Sequence, residues 1–517
     1  MFGYWKAKIN TAHKSGYGLL YAAILIALAT RVFHLGYQSI WGDESLTLFR
    51  YAKGSNLIDF FRQNWELGSH PPLFFLVVYY WYKLGHSEFM LRFPSMVFGV
   101  ASIPVAYALV NRLFGKQTAG IAALIFALSP IHIWYSQEAR MYTLQMLLCL
   151  ASTFYFVKAL HENRAKDYGL YVLFTVMAFF AQISTMMLVV AQGSFVIIYT
   201  SRDRIKMIAW LWVLAQVLLV CTPWITNSKG LHHMKGVESG FGFARQPSIL
   251  DAGYVFYTFS VGYSLGPSVA ELHQSSASRI FTENWDAILL PLFIFGLLAI
   301  LGLMEARRTN DFGFRLLLAI MVIPVALSLA LAVFKGIPIY PRYLFASAIP
   351  YWVAISLGIQ RCFRARALRG IPIFAAMVMA FSLYNYYWQP DYAKQDLRSA
   401  TMLVNKAARP GDVVVISSIE IGGPFIYYFK RHDVPYIGYP SKPGMIDPNA
   451  LPHDMESVLR HKKRAWLVLG KTWSSDPKGL IPDFFDHRYH PLMHRHYAGI
   501  TILNYDLTSK PIRHSST

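Results

Sequence analysis

Long apolar runs, separated by short loops rich in Lys and Arg, fill the first three quarters of the chain. Runs of spanning length lie near residues 17–36, 92–113, 118–135, 142–160, 168–185, 187–200, 206–226, 285–304, 314–334, 343–361 and 370–388. A helix needs about 20 such residues to cross a bilayer, with about 17 the usual lower end. The stretch 187–200 falls below that length. Pro71–Leu84 is also short and opens with two prolines, so it predicts an interfacial or re-entrant helix. The pattern predicts a polytopic α-helical membrane region of about eleven transmembrane helices.

The pattern changes after Trp388. A helical period runs to Ala408, and Arg409-Pro410-Gly411 leads into a strand at Asp412–Ile416. Further strands are expected at Tyr436–Tyr439, Trp466–Leu469 and Gly499–Tyr505, with helical patterns between them. Such alternation predicts a soluble α/β domain. Gln389-Pro390-Asp391 marks the boundary, giving a membrane domain over 1–388 and an accessory domain over 389–517. No Gly-rich phosphate loop follows the first strand, so a nucleotide site is not supported.

Composition agrees with this division: of 517 residues, 55% are hydrophobic and only 15% charged, too apolar for an ordinary soluble protein. The formal charge of +20 would suit nucleic acid, but its distribution argues for membrane topology instead. With the N-terminus inside and eleven spans, the cytoplasmic loops hold Arg112/Lys116, Lys158/Arg164/Lys166, Arg202/Arg204/Lys206, Arg307/Arg308/Arg315 and Arg361/Arg364/Arg366/Arg369. Counting Pro71–Leu84 as a span would put most of them outside, which decides against it. Lys6, Lys8 and Lys14 precede the first apolar run without a small-residue cleavage site, so that run reads as an uncleaved span. Cys149, Cys221 and Cys362 lie in or beside spans and imply neither disulfides nor a cysteine metal site.

This topology gathers polar groups on the outer face, together with the C-terminal domain. The first outer loop, about 37–91, holds Asp43, Glu44 and His70; a short second loop runs Ser136-Gln137-Glu138-Ala139-Arg140-Met141-Tyr142. A third, about 227–284, carries Lys229, Lys235 and Arg245, and a fourth contains Lys335 and Tyr340-Pro341-Arg342-Tyr343. Outside the membrane there is no nucleotide pool, so a glycan-building enzyme there needs a lipid-carried donor. Its phosphate would sit at the headgroup boundary, where Arg140 and Arg342 are placed and where a guanidinium fork suits it, with Lys335 a looser candidate. Asp43 could deprotonate an acceptor hydroxyl within hydrogen-bond reach.

The order Trp-Gly-Asp43-Glu44-Ser, His70-Pro71-Pro72-Leu, Leu91-Arg92-Phe-Pro, Ser136-Gln-Glu138-Ala-Arg140-Met-Tyr142 and Pro341-Arg342-Tyr343-Leu344 resembles bacterial polyprenyl-phosphate-sugar glycosyltransferases. These are GT-C enzymes related to protein O-mannosyltransferases and to the lipid A aminoarabinose transferase, glycosyltransferase family 39-like. Asp396-Leu397-Arg398 through Pro410-Gly411-Asp412-Val413 is similar to the soluble tail of many bacterial members. The resemblance implies inverting transfer, with Asp43 as catalytic base and Glu44 as its acidic partner. It further implies Arg140, Arg342 and His70 as donor-phosphate contacts, with Glu138, Tyr142 and Tyr343 in support. His70 departs from the aminoarabinose transferases, which have lysine there, and matches the mannosyltransferases. The implied partners are a polyprenyl-phosphate-sugar donor, a glycan, glycolipid or protein-hydroxyl acceptor, and the bilayer. The implied setting is a bacterial inner membrane. No cofactor is implied, and a divalent metal requirement stays open.

Simpler readings stand beside these. Asp43-Glu44 could cap an interfacial helix starting near Ser45. Arg140 could snorkel, Glu138 could be its salt-bridge partner, and Arg342 and Lys335 could anchor helices at the interface. Arg92 could simply end a span. His487, His490, His494 and His496 match no strong zinc spacing and read as solvated loop residues. A transporter or lipid flippase with an outer partner-binding domain, or a non-catalytic scaffold, is the alternative. A transporter would favour inverted repeats and broken charged helices, neither of which is evident.

Overall fold

The computed structural model describes residues 17–52, 56–67, 70–200, 203–227, 249–275, 277–337, 339–441 and 444–508. Lys6, Lys8, Lys14, Arg202, Lys229, Lys235 and Arg245 lie outside the described residues. Helices occupy every one of the expected apolar runs. Among the described residues seven are long and apolar enough to cross a membrane, or eight if the bent pair Lys116–Leu128 and Pro130–Ser136 forms one span. Tyr17–Val32 and Thr185–Tyr199 are apolar but shorter. Eleven helical runs are therefore present where expected, but length and composition do not support a count of eleven spans. Leu73–Trp81, continued by a 3-10 turn at Tyr82–Leu84, is the short helix expected after the paired prolines.

The bend of 57° between Leu128 and Pro130 has an identifiable cause. Pro130 cannot donate to the preceding turn, and Ser129 caps the new helix by accepting from the His132 amide. The carbonyls freed at Phe126 and Ala127 are taken by the buried guanidinium of Arg31 at 3.0 and 2.8 Å. Gln137, just past Ser136, returns the arrangement by donating to the carbonyls of Thr30, Arg31 and Phe33. Two helix ends inside an apolar bundle are thus satisfied by side chains from each other's helix. The segment after Ser136 is held in one place as a result.

Helices Glu88–Phe114 and Tyr142–Glu162 run side by side from the polar loops that hold Asp43 and Arg140 to a basic end. Arg92 and Arg112 stand about 30 Å apart along the first of them, close to the thickness of a bilayer's hydrocarbon core. Arg112 pairs with Glu162 at 2.7 Å and Arg364 with Glu305 at 2.8 Å. The basic clusters therefore gather at the end of the bundle opposite Asp43.

The last helix of the membrane region ends at Trp388. The C-terminal domain is a five-stranded sheet, β1 Val413–Ile416, β2 Tyr436–Gly438, β3 Arg464–Gly470, β4 His490–Tyr497 and β5 Ile500–Asp506, in the order β2-β1-β3-β5-β4. The first three strands are parallel and the last two antiparallel. Alternation along the strands sorts their side chains. Val413, Val415, Leu467 and Leu469 pack with helices Leu451–Leu459 and Leu480–Asp486. Val414, Ile416, Trp466, Val468 and Ile502 belong instead to a core continuous with that of the membrane bundle. Strand β4 was not expected from the sequence. It holds His490, His494 and His496, so those histidines lie on an exposed edge strand rather than in a loop.

Candidate functional site

The polar stretch 35–46 is fixed by arginines on two sides. Arg92, near the start of its helix, donates to the carbonyls of Leu35, Gln38 and Ser39 at 2.8–3.1 Å. Arg398, from the C-terminal domain, donates to those of Gly36, Tyr37 and Gln38 at 3.0–3.3 Å. Ser39 closes the strap by donating to Asp396 at 3.1 Å. A backbone held in this way delivers Trp41 and the short helix Gly42–Leu46, with Asp43 and Glu44 in its first turn.

Successive residues of a helix point about 100° apart, and the two acids meet different surroundings. Glu44 is fully buried, gripped by Arg92 through two bonds of 2.7 Å, and it also accepts the Ala139 amide at 2.9 Å. Burial opposes its ionisation. The Arg92 and Lys394 charges and these hydrogen bonds prevail and hold it down at about 2. Arg92 therefore does more than end a span, and the Glu44 oxygens tie the first of these polar segments to the second.

Asp43 stays accessible, its side chain 28% exposed, with Arg342 Nη1 at 3.5 Å from Oδ2. Arg140 donates to the Asp43 carbonyl at 3.3 Å and to His70 Nε2 at 3.1 Å. An arginine cannot accept, so His70 takes this bond through an unprotonated Nε2. Arg342 lies over Tyr340 and Tyr343, with centroid distances of 4.6 and 5.4 Å. Tyr142 is buried with its ring 4.6 Å from that of Tyr135. The Nε atoms of Arg140 and Arg342, and Nε1 of Trp41, are buried donors with no acceptor. Burial works against an ionised Asp43. The charges of Arg140, Arg342 and Lys471 outweigh it and hold the carboxyl below its usual range.

Glu138 lies in the segment between helices Pro130–Ser136 and Tyr142–Glu162. It accepts from Trp134 Nε1 at 3.1 Å and stands 3.8 Å from Lys394, which is itself 3.9 Å from Glu44. Burial dominates at Glu138. Lys394 and Arg140 pull its pKa down, Glu44 and Asp43 push it up, and the result is about 7. Burial likewise lowers Lys394 against the pull of the two glutamates. The ion pair with Arg140 expected for Glu138 is not formed; its cationic partner is Lys394.

Lys394 and Lys471 escaped sequence reading altogether. Both belong to the part of the chain taken as accessory. Lys471 follows β3 with φ 49°, a left-handed conformation rare for a residue with a side chain. It pairs with Glu420, and its ammonium lies 5.6 Å from the centre of the Trp41 ring. The C-terminal helix Ile419–Tyr428 packs on Gly42–Leu46 at two glycines. A Cβ on Gly42 would sit 3.0 Å from the Glu420 carbonyl, and one on Gly423 would sit 2.5 Å from Ser45 Oγ. Lys335 ends its helix with an exposed side chain and joins no hydrogen bond or ion pair of this group, a placement that suits a helix anchor. Among the described residues no three His, Cys, Asp or Glu side chains form a metal-binding group.

Residues 69–226 match the family model described as dolichyl-phosphate-mannose-protein mannosyltransferase. The oligosaccharyltransferase of Archaeoglobus fulgidus, in its apo form, has a similar structure, with a TM-score of 0.52 at 14% identity over 96% of this chain and 75% of that one. ArnT from Cupriavidus metallidurans, bound to undecaprenyl phosphate, gives a TM-score of 0.47 at 12% identity over 94% and 98% of the two chains. No curated protein matches the chain.

Proposed function

We infer, from the GT-C fold and the relationship to the protein O-mannosyltransferases, that this membrane glycosyltransferase moves a sugar from a polyprenyl-phosphate donor to an extracytoplasmic hydroxyl with inversion. Transfer from a lipid-linked donor is the family-level part of that reading. One observation carries the rest. Asp43, the accessible member of the acid pair, lies against two arginines whose buried Nε donors have no acceptor. The phosphodiester anion of a lipid-linked sugar would satisfy both arginines through charge-assisted bonds.

In this mechanism the donor phosphate sits on Arg140 and Arg342, which sets the anomeric carbon before Asp43. The acceptor oxygen attacks that carbon from the face opposite the phosphate, and Asp43 takes its proton. The carbon–oxygen bond to phosphate breaks, and the electron pair leaves with the phosphate, whose growing charge the arginines stabilise. Direct displacement needs one base and no covalent glycosyl-enzyme. The acceptor class, whether glycan, glycolipid or protein hydroxyl, is not fixed by these residues. The basic clusters at the opposite end of the bundle support a site on the outer face, and the resemblance supports a bacterial inner membrane as its setting.

Asp43→Asn tests the assignment, with a synthetic polyprenyl-phosphate sugar and variants matched for membrane insertion. Transfer should fall by about 10²–10⁴, the usual loss of a general base, with donor affinity retained. Normal turnover in that variant would return Asp43 to the role of a helix cap.

A further inference from the structure

Donor binding poses a problem for Asp43. In the free chain its carboxylate is balanced by Arg140, on the segment after Ser136, and by Arg342, on the 3-10 turn Pro341–Ser347. Both arginines are the groups assigned above to the phosphate, so a bound donor anion would draw their charge from Asp43 and add its own repulsion, which grows as the lipid phosphate departs. Glu44 is spent on Arg92, and Lys394 stands between Glu44 and Glu138. Glu138 is a second acid facing Asp43, and Tyr142 presents a phenol. His70 carries charge only when protonated, and its Nε2 already accepts from Arg140. A base left beside a phosphate and another carboxyl would take up a proton and stop working.

The C-terminal domain supplies the missing charge. Lys471, directly after β3, reaches the Asp43 helix. Its ammonium lies 3.6 Å from where a Cβ on Gly42 would stand. Four features fix it there: the ion pair with Glu420, the Trp41 ring beneath it, the left-handed backbone at its own position, and the close glycine packing that seats the domain. Side chains of both Lys471 and Glu420 are mostly shielded from solvent, so the charge is poorly screened. We propose that Lys471, oriented by Glu420, is a positioning residue of the transfer site, delivered by the C-terminal domain to keep Asp43 a carboxylate while donor phosphate occupies Arg140 and Arg342. The domain taken from sequence as an accessory is then part of the reaction centre.

This inference rests on the reading of Asp43 as base for its consequence in transfer, but it can be tested without transfer. Dicyclohexylcarbodiimide modifies protonated carboxyls in apolar surroundings, and mass spectrometry of the full-length protein in detergent reports modification at Asp43 as pH is varied. Lys471→Gln should move the midpoint upward by roughly one pH unit or more, the scale of one nearby opposite charge. Undecaprenyl phosphate should widen the gap from the unsubstituted chain. Lys471→Arg should restore the original midpoint, a rescue that a packing role alone would not give. Lys471→Met, which keeps the stem on Trp41, should repeat the shift and serves if the glutamine variant fails to fold. An unchanged midpoint in a folded Gln or Met variant, with and without the lipid, would overturn the proposal. If the lipid moves no midpoint while the substitution still does, the phosphate assignment of Arg140 and Arg342 fails and the Lys471 contact stands.

Discussion

Arg92 and Glu44 form a forked ion pair, both bonds 2.7 Å long, between side chains that are no more than 1% exposed. The pair joins the Asp43 segment to the helix Glu88–Phe114, so the position of Asp43 depends on its neighbour's bond. Glu44 is held at about 2 in the folded chain against an ordinary value of 4.5. The pair's contribution is therefore complete above pH 4.5 and is lost as pH falls toward 2, a difference of about 3 kcal/mol. Arg92→Ala strands a buried carboxylate and should destabilise by about 3–5 kcal/mol. Thermal unfolding in detergent measures it.

Glu138 titrates in the opposite sense. Its carboxyl is raised from 4.5 to about 7, so the folded chain keeps a proton that the unfolded chain gives up. Stability should fall as pH rises from 4.5 to about 7 and then level off. Glu138→Gln should flatten that part of the curve and gain on the unsubstituted protein by about 3 kcal/mol at its upper end. A slope that survives the substitution would assign the titration elsewhere.

Arg342→Ala should weaken binding of undecaprenyl phosphate by roughly 10- to 150-fold, equivalent to one charge-assisted bond of about 1.5–3 kcal/mol. Arg342→Lys should recover only part of this, because an ammonium cannot present two parallel donors. Titration of the lipid into purified protein gives the affinities directly. Equal binding in all three proteins would remove Arg342 from the phosphate site.

Gly423→Ala should unseat the C-terminal domain. The new methyl would meet Ser45 Oγ at 2.5 Å, and Ser45 is bonded to the Gly42 carbonyl at 2.7 Å. Limited proteolysis should then cut faster near Gln389–Tyr392. Combining Gly423→Ala with Ser45→Gly, which removes the obstructing side chain, should restore much of the resistance, a coupling that two independent lesions would not show.

Lys478, exposed in the C-terminal domain, offers a test of orientation. Lys478→Cys should react with a membrane-impermeant maleimide in intact spheroplasts. Labelling only after the membrane is broken would invert the topology.

Much of this was legible in the sequence because local pattern carried it. Apolar runs gave the helices, and the paired prolines gave the short helix after His70. The motif order brought Asp43, Arg140, His70 and Arg342 into one list before the fold brought them into one place. What stayed hidden depends on distant packing. A lone Lys394 or Lys471 in a soluble domain has no pattern until the sheet seats it beside Trp41. Arg92 resembled any basic residue at a helix end, since its partners are carbonyls and an acid some fifty residues away. Strand β4 was missed because it is an edge strand, exposed along most of its length, and carries no apolar alternation to read.

The strap across residues 36–39 also sets an order of events in biogenesis. Ser39 leaves the ribosome 357 residues before Asp396, its partner, and Gly36 precedes Arg398 by 362. Throughout synthesis of the membrane helices, the Asp43 segment therefore waits without half of its supports. A chain terminated early would insert its helices and still hold an unfinished centre. Seating of the C-terminal domain on this segment is the step that supplies the missing half.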